Sequence, residues 1–277
     1  MAYSDYKLIQ IAREGAIITA VINAPPINII TLDLFGELAR LAIELEADPS
    51  AMVVVFKSAD PDFFFAHFDV QALIDIASGP KGPVGDATAF QDMCSRYQSM
   101  NCISIAQIEG RVGGGGSELS MSFDMRFGVL GKTIVNQMEV PIGIIPGGTG
   151  NQRMPRLIGR ARAMEIIVGG VDLDAETAER WGYLNRALPA DQINAHVDAL
   201  ARRIASFPPE AVKLGKQVVH AAALPLEEGL KVEAEHFQTL MFTDDAMKKM
   251  TRFLELGGQT REGELRVADL SAEVAKG

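Results

Sequence analysis

The chain has 277 residues, 48% of them hydrophobic, with 26 glycines and a net charge of −10. That length and composition suit a mixed α/β protein, either one large domain or a domain with an appendage. The negative charge argues against nucleic acid or an anionic membrane as a partner, and two cysteines, Cys94 and Cys102, form neither a disulfide framework nor a zinc site, so buried reduced thiols are expected.

The opening stretch, Met1–Lys7, lacks the charged-then-apolar pattern of a signal peptide. The apolar run Ala16–Leu32 is interrupted by Asn23, Pro25, Pro26 and Asn28, so it does not read as a membrane span, and a cytoplasmic setting is the expectation. Residues 6–22 alternate on both sides of Arg13-Glu14-Gly15, a hairpin signature, and the two prolines make Asn23–Asn28 a loop. Thr31 caps a helix to about Glu46, with Leu34, Leu38, Leu41 and Ile43 toward the core. Met52–Phe56 is continuously apolar, which suits a strand covered on both faces. Phe63–Asp69 reads as an aromatic loop, Val70–Ile76 as a helix, Gly79–Pro83 as an exposed break and Ala87–Met100 as a helix.

The rest is organised around Ser104–Gly150. The alternation Ile103–Ile108 predicts a strand, a glycine run follows at 113–116, and Ser117–Phe123 begins a helical pattern. Glycines there let the backbone approach a ligand, and amides at a helix start favour negative charge. Glu118 falls in that first turn, Glu139 follows in an apolar setting, and a second glycine-rich turn runs from Pro146 to Gly150. Two buried carboxylates beside a backbone anion cradle suit general acid–base chemistry. The plainer alternatives are a tight turn packing a helix on a sheet, and two solvated surface glutamates.

Other chemistries fit less well. Gly131-Lys132-Thr133 ends like a phosphate-binding loop, but Arg126 stands where that motif needs glycine. Ser117 lacks the Gly-x-Ser-x-Gly frame, and His67, His196, His220 and His236 are too scattered to complete a triad. Met125–Val129 can form a further strand, and from Leu157 the chain reads as helices over 157–168, 174–181, 191–205, 208–222 and 226–255. A βα-rich part thus spans residues 1–200 and a helical region residues 201–277, with the stretch from Gly257 expected to leave the compact body.

From about residue 8 to 255 the chain resembles the enoyl-CoA hydratase/isomerase, or crotonase, superfamily. The match is carried by Ile105–Gly110 leading into Gly114–Leu119, then Asp124, then Met138–Gly148, and it continues through Gln152–Gly159 and Leu173–Gly182. The resemblance implies an α/β fold, a crotonase-like spiral of ββα units with a C-terminal helical oligomerisation region, assembled as a homotrimer or a dimer of trimers. It implies an acyl-CoA thioester substrate, with coenzyme A part of the substrate and no separate cofactor or metal. The thioester oxygen would be held by the backbone N–H groups of Phe68 and Gly115, with Ala66, His67, Asp69 and Gly114 also at the substrate. His67 stands where the family usually carries glycine. Glu118 and Glu139 match the two glutamates that hold and activate water in the family's hydratases. Having both favours hydration of a 2-enoyl-CoA over double-bond isomerisation, thioester or C–C cleavage, or acyl-CoA binding without turnover.

Overall fold

The computed structural model describes residues 3–80 and 85–275. Strand β1 (Ile9–Glu14) turns at Gly15 into β2 (Ile17–Ile22), and the two pair antiparallel from Ile9↔Ile22 to Glu14↔Ile17. Gly15 takes φ +58°, a left-handed turn position that glycine occupies without steric cost. Helix α1 (Leu32–Ala47) starts at Thr31, whose side chain accepts the Leu34 N–H at 3.2 Å. Leu34, Leu38, Leu41 and Leu45 are buried, but Ile43 is 52% exposed. It stands two residues past Leu41, about 200° round the helix from the buried stripe.

Next come β3 (Val53–Ser58), β4 (Phe63–Phe65), α2 (Val70–Ala77) and α3 (Ala89–Ser99). Strand β4 replaces the expected aromatic loop at 63–65; Phe64 and Phe65 are fully buried. Gly79 and Pro80 are exposed as expected, whereas Lys81, Gly82 and Pro83 lie outside the described residues. Strand β5 (Ile103–Ile108) leads through β6 (Arg111–Gly113) directly into α4 (Gly114–Ser120). That helix begins three residues before Ser117, so Gly114–Gly116 form its first turn instead of preceding it. A Cβ on Gly116 would lie 2.3 Å from Phe65 Cβ, a separation that no side chain at position 116 permits.

Strand β7 (Met125–Val129), β8 (Ile134–Asn136) and a single 3₁₀ turn at Val140–Ile142 follow, then α5 (Gly150–Ile158) and α6 (Arg160–Ile167). After β9 (Leu173–Asp174), α7 (Ala175–Trp181) and β10 (Arg186–Leu188) comes α8 (Ile193–Ala205). The larger sheet has the order β1-β2-β3-β5-β7-β10 and the smaller one β4-β6-β8-β9. Only β1/β2 and β8/β9 are antiparallel. A repeat is visible in this order: β3, β5 and β7 lie in the larger sheet, and each is followed by a short strand of the smaller sheet, β4, β6 or β8, before the chain turns helical. The architecture is the α/β spiral of ββα units that the resemblance implies. Its core includes Phe56 and Phe123, stacked at 4.3 Å, with Tyr97 edge-on to both. Cys94 and Cys102 are buried and free, and burial pushes the Cys94 thiol up to about 12.

The chain divides into two compact units, Met1–Asp198 and Ala199–Gly277. In the second, α9 (Pro209–Ala221) packs on α10 (Leu226–Met241), and α11 (Asp244–Glu255) packs on α13 (Val267–Ala275) after a short α12 (Arg261–Glu264). The single helix expected over 226–255 is broken: Thr243 caps α11 by accepting the Ala246 N–H. The stretch beyond Gly257 does not leave the body; it folds into α12 and α13, with Leu270 and Val274 buried. Among the described residues no helix is long and apolar enough to cross a membrane.

Candidate active site

Glu118 lies in α4 and is 3% exposed. Its Oε1 accepts three consecutive backbone N–H groups from the glycine-rich turn: Gly148 at 2.9 Å, Thr149 at 2.7 Å and Gly150 at 2.7 Å. The backbone anion cradle expected at Gly113–Gly116 is therefore joined by a second one, and that second cradle holds the catalytic candidate itself. The turn is tied down by Gln91 Nε2, which donates to Gly147 O at 2.8 Å, and by Asn151 Nδ2, which donates to Pro146 O at 2.6 Å. Burial raises the Glu118 carboxyl above its ordinary value, and the three N–H bonds oppose that by favouring the charged form.

Glu139 begins the 3₁₀ turn after β8 and is 8% exposed. Burial, and then the negative charge of Glu118, push its carboxyl up from 4.5 to about 7. Behind it, the Gln137 amide turned to match its neighbours donates to Glu139 Oε2 at 2.9 Å and accepts from Ser117 Oγ at 3.1 Å. Ser117 Oγ meets Tyr183 Oη at 3.0 Å, so a buried polar chain runs from Tyr183 to Glu139. Gly114 has φ +46°, and a Cβ there would lie 3.0 Å from Glu139 Oε1.

Both carboxylates line one cavity of about 460 Å³, together with His67, Phe68 and Gly115. Gly115 is the second residue of α4, so no carbonyl of that helix stands one turn back to accept its N–H. The Phe68 N–H lies beside Ile30, but that bridge is made by the neighbouring groups, Ile30 N to His67 O and Asp69 N to Ile30 O. A Cβ on Gly115 would lie 3.5 Å from Phe68 N, which brings the two amides to one edge of the cavity. His67 Nδ1 is 2.8 Å from Phe68 O; a carbonyl only accepts, so Nδ1 carries the proton.

Ala66, Asp69 and Gly114 are not among the lining residues. The Asp69 carboxylate instead caps α2, accepting the N–H groups of Gln71 at 2.9 Å and Ala72 at 3.4 Å. Gln137, Phe90 and the amides of 148–150 were not anticipated as site groups. Only the glycine-rich turn left a mark in the sequence, since its bond to Glu118 spans some thirty residues.

Residues 12–261 match the sequence model of a family described as enoyl-CoA hydratase/isomerase. The chain belongs to that family. This family member is 30% identical over 254 residues to the probable enoyl-CoA hydratase of Mycobacterium tuberculosis, covering 90% of this chain and 96% of that one. It is 29% identical over 247 residues to the short-chain-enoyl-CoA hydratase of Clostridium acetobutylicum, covering 88% and 93%. The crystal structure of enoyl-CoA hydratase from Bacillus anthracis matches with a TM-score of 0.81 at 25% identity, covering 90% of this chain and 96% of that one. Within the enoyl-CoA hydratase/isomerase family, then, this chain carries two buried carboxylates on one apolar cavity, with two backbone amides beside them.

Proposed function

We propose that this protein hydrates 2-enoyl-CoA thioesters, adding water across the 2,3 double bond to give the 3-hydroxyacyl-CoA. The observation that carries the reading is the shared cavity of Glu118, Glu139 and the Phe68 and Gly115 amides. The thioester oxygen accepts from the two amides, which stabilise the enolate as water adds to C3. Glu118, with Oε1 fixed by three N–H groups, keeps its other oxygen for water and takes a proton as the C–O bond forms. Glu139, raised to about 7, holds a proton near neutrality and delivers it to C2. One proton enters Glu118 and one leaves Glu139, so passage of a proton between them resets the pair. Coenzyme A enters as part of the substrate.

Loss of the enoyl-thioester absorbance with crotonyl-CoA, cinnamoyl-CoA and a longer 2-enoyl-CoA tests this, alongside Glu118→Gln and Glu139→Gln. Each variant is expected to lose about 10²- to 10⁴-fold in rate. Turnover that survives Glu118→Gln but not Glu139→Gln overturns hydration in favour of double-bond isomerisation, and release of free CoA or an aldehyde points to cleavage.

The helical region also supports self-association, as trimers or a dimer of trimers. Helices α10 and α11 have no buried residue, and Phe237 and Phe242 are exposed. Light scattering on the purified chain reads the assembly directly.

A further inference from the structure

Beyond the two carboxylates the cavity is walled by hydrocarbon. Phe35 and Phe90 stack with centroids 5.9 Å apart, and Phe68 sets its ring edge-on to both, at 6.5 and 5.8 Å. This wall starts at the reacting end: Phe90 Cζ lies 3.5 Å from a Cβ built on Gly115. It continues outward along one face of α2, through Val70, Leu73 and Ile76, which recur every three residues. At the mouth, Leu32, Ile76, Ile142, Ile144 and Ile145 are each 45–67% exposed. Apolar side chains gathered in this way round a cavity mark a surface that an apolar ligand covers.

The size of the cavity narrows the choice of ligand. At about 30 Å³ for each water-sized group, 460 Å³ holds on the order of fifteen such groups. A crotonyl group fills about a third of that and a 2-decenoyl group most of it. His67, Thr88, Glu118 and Glu139 are the polar side chains on the lining, and among the described residues no Lys or Arg is there. A second carboxylate on the acyl group would be buried without a counter-charge.

We propose that the site selects acyl-CoA thioesters with a medium-length, unfunctionalised hydrocarbon tail, with Phe35, Phe68 and Phe90 as the wall that determines specificity. The inference rests on the hydratase reading for its chemistry but on the cavity for its selectivity. Each methylene buried along the wall adds about fourfold to kcat/KM until the cavity is full.

The test is a kcat/KM series over crotonyl-, 2-hexenoyl-, 2-octenoyl- and 2-decenoyl-CoA, with cinnamoyl-CoA for comparison. A rise of at least about a hundredfold from crotonyl to decenoyl is expected. Leu73→Trp, which fills the cavity, is expected to lower the decenoyl-to-crotonyl ratio at least about tenfold. Equal or better turnover of crotonyl-CoA overturns the inference and leaves hydration standing. A preference for cinnamoyl over decenoyl overturns the hydrocarbon-chain assignment. Calorimetry with butyryl-CoA and decanoyl-CoA separates the two claims: tighter decanoyl binding without turnover of any enoyl thioester upholds the pocket and sinks the hydratase reading, whereas equal affinities overturn the pocket.

Discussion

The backbone N–H of Gly148 donates to Glu118 Oε1 at 2.9 Å, while the place its Cβ would occupy lies 2.8 Å from Glu118 Oε2 and 2.7 Å from the Phe90 ring. The same residue thus fixes one carboxylate oxygen and leaves room for the other. Gly148→Ala must displace either Phe90 or the carboxylate. With the bulk of the chain's packing untouched, far-ultraviolet circular dichroism is expected to stay as in wild type while kcat/KM for an enoyl thioester falls about 10²-fold. An alanine variant of full activity would remove the role assigned to that turn.

Glu139 supplies the pH dependence. The protonated carboxyl is the donor, so kcat/KM is expected to fall as pH rises through about 7. Glu118 contributes to that raised value through its charge, after burial. Neutralising it in Glu118→Gln therefore moves the Glu139 titration downward, and the infrared carboxylate band of the free protein reads this without needing turnover. An unchanged titration in the variant would show that the two carboxyls do not sense each other.

Much of this arrangement was legible in the chain, and what was hidden has physical causes. Strand β5, the glycine run and Glu118 are contiguous, so local periodicity and glycine content report them together. The smaller sheet was hidden because β4, β6 and β8 each have three residues, too few to display an alternation. Phe63–Phe65 therefore reads as an aromatic loop although it pairs with β6. The start of α4 at Gly114 contradicts helix propensity, and tertiary packing against Phe65 is what overrides it. Thr243 breaks the long helix by capping, a signal masked by the apolar and charged pattern continuing on both sides. The contacts that matter most to the site, Gly148–Gly150 on Glu118 and Gln137 on Glu139, depend on which loops meet, and no local pattern encodes that.

Gln137 separates positioning from chemistry. It touches Glu139 and Ser117 but is not on the cavity lining. Its N–H bond favours the charged form of Glu139, so Gln137→Leu is expected to raise the Glu139 pKa above about 7 and carry the falling limb of the pH–rate profile upward. The maximal rate drops as well, by about tenfold, because the carboxyl loses its anchor. Gln137→Glu keeps the length but adds a second charge and moves the limb further up. A lowered rate with an unmoved limb would reduce Gln137 to a packing residue.

The buried acid also leaves a mark on stability. In the unfolded chain Glu139 loses its proton near its ordinary 4.5, whereas in the folded protein it holds it until about 7. The folded state therefore binds more protons across that window, so stability is fully present below pH 4.5 and is lost progressively as pH rises to about 7. The gap corresponds to a loss on the order of 3 kcal/mol by pH 8. Glu139→Gln has nothing to titrate at this position. Urea unfolding at pH 4.5 and pH 8 is expected to show wild type losing more stability than the variant over that interval, by about that amount, with the two close at pH 4.5. Equal losses in both proteins would mean that Glu139 ionises in the folded state as easily as in water, and with that the proton donor assigned to the reaction would be gone.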